Sequence, residues 1–547
     1  MRTLLLASLI ALLSAVFAGV SRAGAPINLV RLDPTWGTGG KLTVDVGGPG
    51  PYEDEPFWMV RQPDGKFVTA GKARNQTTGS FDFAVMRYNP DGSLDPTFGR
   101  WGVALIDFTG GYDEGLAVAL QPDGKLVVAG RADRPGGLTD FGVTRLLPNG
   151  TRDPSFGWGG IVMTDFFNGS DNALAVAVQN DGKIVVAGFA TSPYTGSDFA
   201  VVRYNANGSR DASFGWGGLV VTDFFGKTDA ITKMFIQPDG KIVGVGMTFS
   251  TRDGSYDFAV ARYNTNGGRD ATFGWGGLVA RDFLGGSDVA WASALQPDGK
   301  ILVGGYAYNP ANVSTLASVA GDAPLDAAVM RLNPDGSLDT TFAPYGIPGL
   351  VMTDVAGNLD QILWLTIQPD GKILGVGHSV LPTTGFDFAL FRYDSDGNLD
   401  TTFGDGGHVT MNWFGGPDGL HTVVLQDDGK ATVAGDVFNP STNSDDFALV
   451  RFLIADPSWV SGVVSALAQT AFASATAKSD TLSSLSVAGN ATSTGDSVSA
   501  TTALVDLRGH IDGCGSVADA NDWITDCTSQ LKVRTLVDQI VAKLASP

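Results

Sequence analysis

Three kinds of residue are scarce in this 547-residue chain, and each scarcity excludes something. There are only two cysteines, Cys514 and Cys527, both near the C-terminus. A thiolate metal centre or a disulfide-built fold would need more; two cysteines in an exported chain point to one disulfide. The four histidines, His378, His408, His421 and His510, are scattered and form no metal-ligand spacing. Basic residues number 36 against 57 acidic ones, a formal charge of −21. Nucleic acid is therefore not an expected partner, because binding it needs a basic face to displace counterions. Beyond the N-terminus no run is apolar enough to span a bilayer, so no transmembrane helix is expected in the mature chain.

Glycine, by contrast, is abundant at 73 residues, which suits a turn-dense globular fold. The start, MRTLLLASLIALLSAVFAGVSRAGA, reads as a signal peptide over residues 1–23. Arg2 comes first, an apolar core runs from Leu4 to Val20, and Ser21-Arg22-Ala23 forms a small-residue cleavage site. The protein is expected to be exported, to the periplasm, the cell surface or the medium.

Seven copies of one pentapeptide organise the rest. QPDGK, or its variants QNDGK and QDDGK, begins at Gln62, Gln121, Gln179, Gln237, Gln296, Gln368 and Gln426, at spacings of 59, 58, 58, 59, 72 and 58 residues. A fixed period of this size marks an array of one supersecondary unit. Each unit holds four short runs rich in Val, Ile, Phe and Tyr, bounded by Gly, Asp or Asn; the unit Gly217–Phe273 shows them as GLVVTDFF, FIQ, KIVGVG and DFAVARY. Four antiparallel strands repeated seven times predict a seven-bladed β-propeller over residues 27–455, the rival being an open β-solenoid with capping repeats.

The pentapeptide itself reads as a joint. Gln ends one strand and Lys begins the next, leaving a three-residue type I turn plus bulge in which glycine takes the left-handed position. The turn pairs are Asp64-Gly65, Asp123-Gly124, Asp181-Gly182, Asp239-Gly240, Asp298-Gly299, Asp370-Gly371 and Asp428-Gly429. The following lysine is expected to be a solvated strand end, its charge offset by the neighbouring aspartate. Arg87, Arg145, Arg203, Arg262, Arg331, Arg392 and Arg451 recur at one place, and Asp107, Asp165, Asp223, Asp282 and Asp354 at another. Identical blades need identical seams, so structural ties between blades are favoured over a ring of ligand contacts. Trp158, Trp216 and Trp275 in FGWGG are expected to wedge between blades rather than stack on a ligand. DSDGNLD (Asp394, Asp396, Asp400) hints at a calcium loop without the full alternation of acidic ligands. No cofactor is predicted beyond that hint of calcium, and no catalytic or metal-binding residue is assigned.

The units RYNPDGSLDPTFG (87–99) and DEGLAVALQPDGKLVVAG (113–130) resemble the delta-60 repeat of bacterial β-propellers, from about Leu32 to Phe452. The resemblance implies fold and export and carries no activity.

Departures from the repeat narrow the search. The 72-residue interval holds an insertion, 306–326, between the third and fourth runs of unit five. If each blade borrows a strand from the next repeat, residues 41–46 must complete the blade built by 418–452. After Phe452 a helical appendage, 456–547, is expected. Asp456 caps a helix with Pro457 at its first position, a loosely packed Ser/Thr/Ala stretch covers about 479–503, and an amphipathic helix covers 531–544, stapled by Cys514–Cys527. No nucleophile elbow, phosphate loop or metal cluster is present by motif. The sequence thus supports a binding or scaffold module for an unidentified protein or surface ligand. A propeller enzyme with its site at the central channel (a hydrolase, lyase or dehydrogenase) and a structural cell-surface component are the alternatives.

Overall fold

The structure, a computed structural model, describes residues 28–48, 53–312, 325–511 and 522–545. The expected leader, most of the unit-five insertion and Cys514 lie outside the described residues. Two compact units divide the chain, Val30–Ile454 and a second that holds the helices from Ala455 onward.

The first unit is a seven-bladed β-propeller of antiparallel sheets, each led by one inner strand. In blades I to VII these are Glu55–Arg61, Glu114–Leu120, Asp171–Val178, Asp229–Ile236, Val289–Leu295, Asp360–Ile367 and Asp418–Leu425. Blade III shows the plan: Asp171–Val178, Ile184–Ser192, Gly196–Tyr204 and the short outer strand Leu219–Thr222, in that order across the sheet. The middle strands are apolar on both faces, because a neighbouring blade covers each one, as in Ile184, Val185, Val186 and Ala187, all fully buried.

Repeat and blade are out of phase. Each outer strand lies beyond the turn that closes its own blade's third strand, in the next sequence repeat, as Thr222 opposite Phe199 shows. The last blade is therefore completed from the N-terminus. Lys41–Val44 pairs antiparallel with Ser444–Leu453, with Lys41 opposite Val450 and Val44 opposite Phe447, and Arg31–Leu32 adds to the same strand. This is the expected clasp. The insertion in unit five falls between the second and third strands of blade V, Ile301–Tyr308 and Leu325–Leu332, rather than third and fourth, because counting now starts from the inner strand.

In the seven turns the glycines stand at φ of +77° to +86°, a region any Cβ would strain. In the first turn the Gly65 N–H donates to the Gln62 carbonyl at 2.9 Å and Asp64 Oδ1 accepts the Lys66 N–H at 3.1 Å.

The recurring arginines are seam ties. Arg203 Nε donates to Asp211 at 2.8 Å, Nη1 donates to the Thr265 carbonyl of the next blade, and the guanidinium lies 4.5 Å from the Phe214 ring centroid. Arg451 makes the same tie across the closure, to Asp33 at 2.9 Å and the Pro90 carbonyl at 3.0 Å. The turn lysine joins it, with Lys183 Nζ 3.4 Å from Asp211 and 3.3 Å from Asp181. It is thus a half-buried part of the seam and not a solvated strand end, because the turn folds it back over the next seam carboxylate. Burial pushes these carboxylates up, but the hydroxyl and N–H two residues on and the arginine outweigh it, holding Asp211 and Asp270 at about 2. A pKa below the ordinary 3.8 means stability that is present above pH 4 and lost as pH falls through about 2. The melting temperature should therefore fall steeply between pH 4 and 2, as followed by circular dichroism.

The FGWGG tryptophans do not wedge between blades. Trp158, Trp216 and Trp275 are 79–86% exposed, because the two-residue turn that carries them stands outside the outer strand; the phenylalanine two positions earlier fills the seam.

Among the described residues the second unit holds four α-helices, α1 Pro457–Ala466, α2 Ala475–Ser493, α3 Ser497–Arg508 and α4 Cys527–Ala545. Asp456 caps α1 by accepting the Trp459 N–H at 3.0 Å. The Ser/Thr/Ala stretch expected to be loose is instead α2 and most of α3. Ser474 and Asp496 cap them, and small Ala488, Ala491 and Ala500 let the helices approach beside buried Leu485 and Leu504. Their weak amphipathic contrast hid them. Helix α4 buries Val533, Leu536, Val537 and Ile540 as its spacing requires. No helix among the described residues is long and apolar enough to cross a membrane.

Candidate functional site

Where an identical scaffold repeats seven times, function must lie where side chains differ. The inner strands supply that place through a defect they all share. In blade III the register runs Ala173 opposite Gly188 and then Ala175 opposite Ala187, so Leu174 has no partner. The same β-bulge occurs in every inner strand, and the residues left over are Phe57, Leu116, Leu174, Thr232, Trp291, Leu363 and His421. A bulge re-aims its extra side chain, here into the central channel. All seven line one cavity of about 290 Å³, together with Lys233 and Gln361. The glycine opposite makes the bulge possible: a Cβ on Gly188 would stand 1.9 Å from the Asn172 carbonyl oxygen, and Gly71, Gly130, Gly246, Gly305, Gly377 and Gly435 meet the equivalent contact at 1.7–2.0 Å.

One residue further along, most blades carry small side chains, Ala117, Ala175, Ala292 and Thr422, but three carry Trp58, Lys233 and Trp364. Trp58 and Trp364 meet edge to face at 4.5 Å, with the Lys233 Nζ 4.1 and 4.5 Å from the two ring centroids. These residues belong to blades I, IV and VI, and side chains of non-adjacent blades touch only on the channel axis. The trio therefore closes the channel beneath the cavity and presents one amine to it. No carboxylate or hydrogen-bond acceptor pairs with Lys233 among the described residues; burial alone pulls its amine down to about 7. The two indoles compensate it with a cation–π contact on either side. Trp291 Nε1 is also buried without an acceptor, so the cavity wall holds a second unused donor.

Towards one face the site becomes polar. His421 Nε2 lies 2.6 Å from Asp436 Oδ1, with the Phe57 ring 5.5 Å from the imidazole. Burial raises Glu55 to about 7, helped by Asp436 and opposed by Lys72 and His421. Lys72, itself buried, lies 3.0 Å from Glu53, 3.2 Å from Glu55 and 3.7 Å from Glu114.

None of these residues carried a sequence motif, and the motifs that were singled out lie elsewhere. Asp394 of DSDGNLD accepts the N–H groups of Asp396 and Asn398, and Asp400 serves the Arg392 tie, so these carboxylates hold a turn and a seam. Asp107, Asp165, Asp223, Asp282 and Asp354 each accept a backbone N–H three residues on. The one signal for the site was a glycine nine residues after each turn glutamine, inside a strand, where glycine marks a bulge or a close approach.

The fold and site define a β-propeller repeat protein with a stoppered central channel. Seven segments, 62–98, 121–156, 179–214, 237–273, 296–317, 318–342 and 368–403, match the family model described as "Domain of unknown function (DUF5122) beta-propeller". No curated protein matches the chain. Among solved structures, a protein of unknown function from Dyadobacter fermentans aligns at 12% identity and a TM-score of 0.38, covering 78% of this chain and 100% of that one. A copper-bound fungal alcohol oxidase of the AA5 family aligns at 14% and 0.40, over 77% and 76%. The α-L-arabinanase of Penicillium chrysogenum, solved with arabinobiose, aligns at 12% and 0.36, over 75% and 98%. None of these likenesses bears on activity here.

Proposed function

We propose that this protein is an exported binding module that holds a small organic anion in its central channel, the anion's charge on Lys233 and its apolar body against the bulge residues. One observation carries the reading. At the position where each blade turns a side chain into the channel, the ring is uneven, three leucines beside Phe57, Trp291, Thr232 and His421, around an amine that no carboxylate neutralises among the described residues. A scaffold would need only equivalent small or apolar side chains there. Export is supported by the apolar leader and by the Cys514–Cys527 pair expected near the C-terminus.

The test is a thermal-shift screen of small organic anions on the mature protein, followed by calorimetry. Lys233→Met should abolish binding of any hit. It should also leave the protein at least as stable, since it replaces a half-buried, unpaired amine with an apolar chain of similar length. The ligand holds the ammonium form, so affinity should be full below pH 7 and should weaken about tenfold per pH unit above the amine's pKa. A hit that binds Lys233→Met equally well contradicts the reading, and turnover of the bound ligand would place the protein among the propeller enzymes.

A further inference from the structure

The blades also repeat a set of aspartates at their seams, and they do not all neutralise them alike. In blade II one carboxylate oxygen from each of Asp140, Asp165 and Asp171 lies within 4.8 Å of the others. Here the fold supplies its own cation: Arg134 Nη1 stands 3.6 Å from Asp140 and 3.5 Å from Asp165. Blade III repeats the triad as Asp198, Asp223 and Asp229, with the same mutual limit of 4.8 Å, but Ser192 occupies the place of Arg134. The Ser192 hydroxyl accepts the Tyr194 N–H instead of reaching the triad.

The carboxylates of blade III are left open as a result. Asp198 is 3% exposed; Thr195 donates to its Oδ2, and its buried Oδ1 has no partner. Asp229 is fully buried; the Phe224 N–H serves its Oδ2, and the Thr248 hydroxyl offsets part of its burial, so the open oxygen of this set is Asp198 Oδ1. No lysine or arginine pairs with any of the three among the described residues. Blade IV repeats the situation: Ser250 stands in the arginine's place, and Asp257, buried beside Asp253 and Asp282, has an orphaned Oδ1. Elsewhere the fold fills this need differently. Asn75 in blade I donates to Asp82 at 2.6 Å, and Asn412 replaces an aspartate in blade VI.

We infer that blades III and IV each bind a calcium ion, at Asp198, Asp223 and Asp229 and at Asp253, Asp257 and Asp282, in the place that Arg134 fills in blade II. Three carboxylates gathered this closely suit one hard cation, and calcium, which accepts six to eight oxygens at about 2.3–2.6 Å in flexible geometry, tolerates an irregular set that magnesium, with its near-ideal octahedron at about 2.1 Å, does not. The exposed Asp223 opens the blade III site to water, which completes the coordination. These sites are independent of the channel, and either reading can fail alone.

The experiment is calcium titration of the chelator-treated full mature chain by calorimetry, with thermal melts in calcium and in sodium chloride of equal ionic strength. Two ions per chain and a melting temperature several degrees higher in calcium alone are expected. Asp198→Asn should remove one ion and Asp257→Asn the other. Ser192→Arg, which imports the blade II solution, should remove the blade III ion while the protein stays as stable as the calcium-loaded parent. Melting that follows ionic strength only, or binding unchanged in both asparagine variants, would overturn the inference.

Discussion

A chain that starts at Gly47, without the clasp, is expected to lose at least about 5 kcal/mol of stability and to self-associate. Three losses add up. Trp36, fully buried among Met59, Phe67, Tyr88 and Phe447, would go, and core tryptophan removal costs about 3–5 kcal/mol. Arg451 would lose Asp33, leaving a buried guanidinium without its carboxylate, a change that costs about 3–5 kcal/mol where one partner of a buried pair is removed. The strand Ser444–Leu453 would lose the partner Lys41–Val44 and present an open edge. Urea unfolding and light scattering check the result. A truncated chain that stays monomeric and unfolds at the parent's midpoint would show that the ring holds without its clasp.

Gly188→Ala should be among the most damaging single substitutions, costing more than about 4 kcal/mol, the extreme of point-mutant effects. The added Cβ would meet the Asn172 carbonyl oxygen at 1.9 Å, and a backbone atom cannot rotate aside as a side chain can. The bulge must flatten, which shifts the register of Asp171–Val178 by one residue and moves its side chains to the wrong faces. Gly182→Ala, in the turn of the same blade, offers a comparison. There the left-handed backbone at φ +83° is strained but the nearest foreign atom is 4.0 Å away, so the cost should be nearer 1 kcal/mol. Equal effects at the two positions would contradict the bulge account.

The contrast between those glycines also explains what could be read from residues alone. The turn glycine is legible because its reason is local, a dipeptide conformation announced by its neighbours. The clasp was legible because the seven turns fix the phase of the repeat and leave one strand over at each end. The bulge glycine depends on the hydrogen-bond register of a second strand, and only its recurrence inside an apolar run hinted at it. Lys233 was not legible at all. Its chemistry comes from Trp58 and Trp364, which reach it only because seven blades close into a ring. The FGWGG tryptophans failed in the opposite direction: a repeated aromatic suggested packing, but Phe156, Phe214 and Phe273 had already taken the seam.

The most direct measurement for the channel account is an NMR titration of the lysine side chains with ¹³C at Cε, with Lys233→Met identifying the resonance. An unpaired amine held between two indoles at the floor of the cavity should titrate near pH 7, well below the ordinary lysine value of about 10.4, and should move upward when an anionic ligand occupies the cavity. A Lys233 resonance that titrates with the surface lysines near pH 10.4 would mean that water or a carboxylate already satisfies the amine, and would contradict the account.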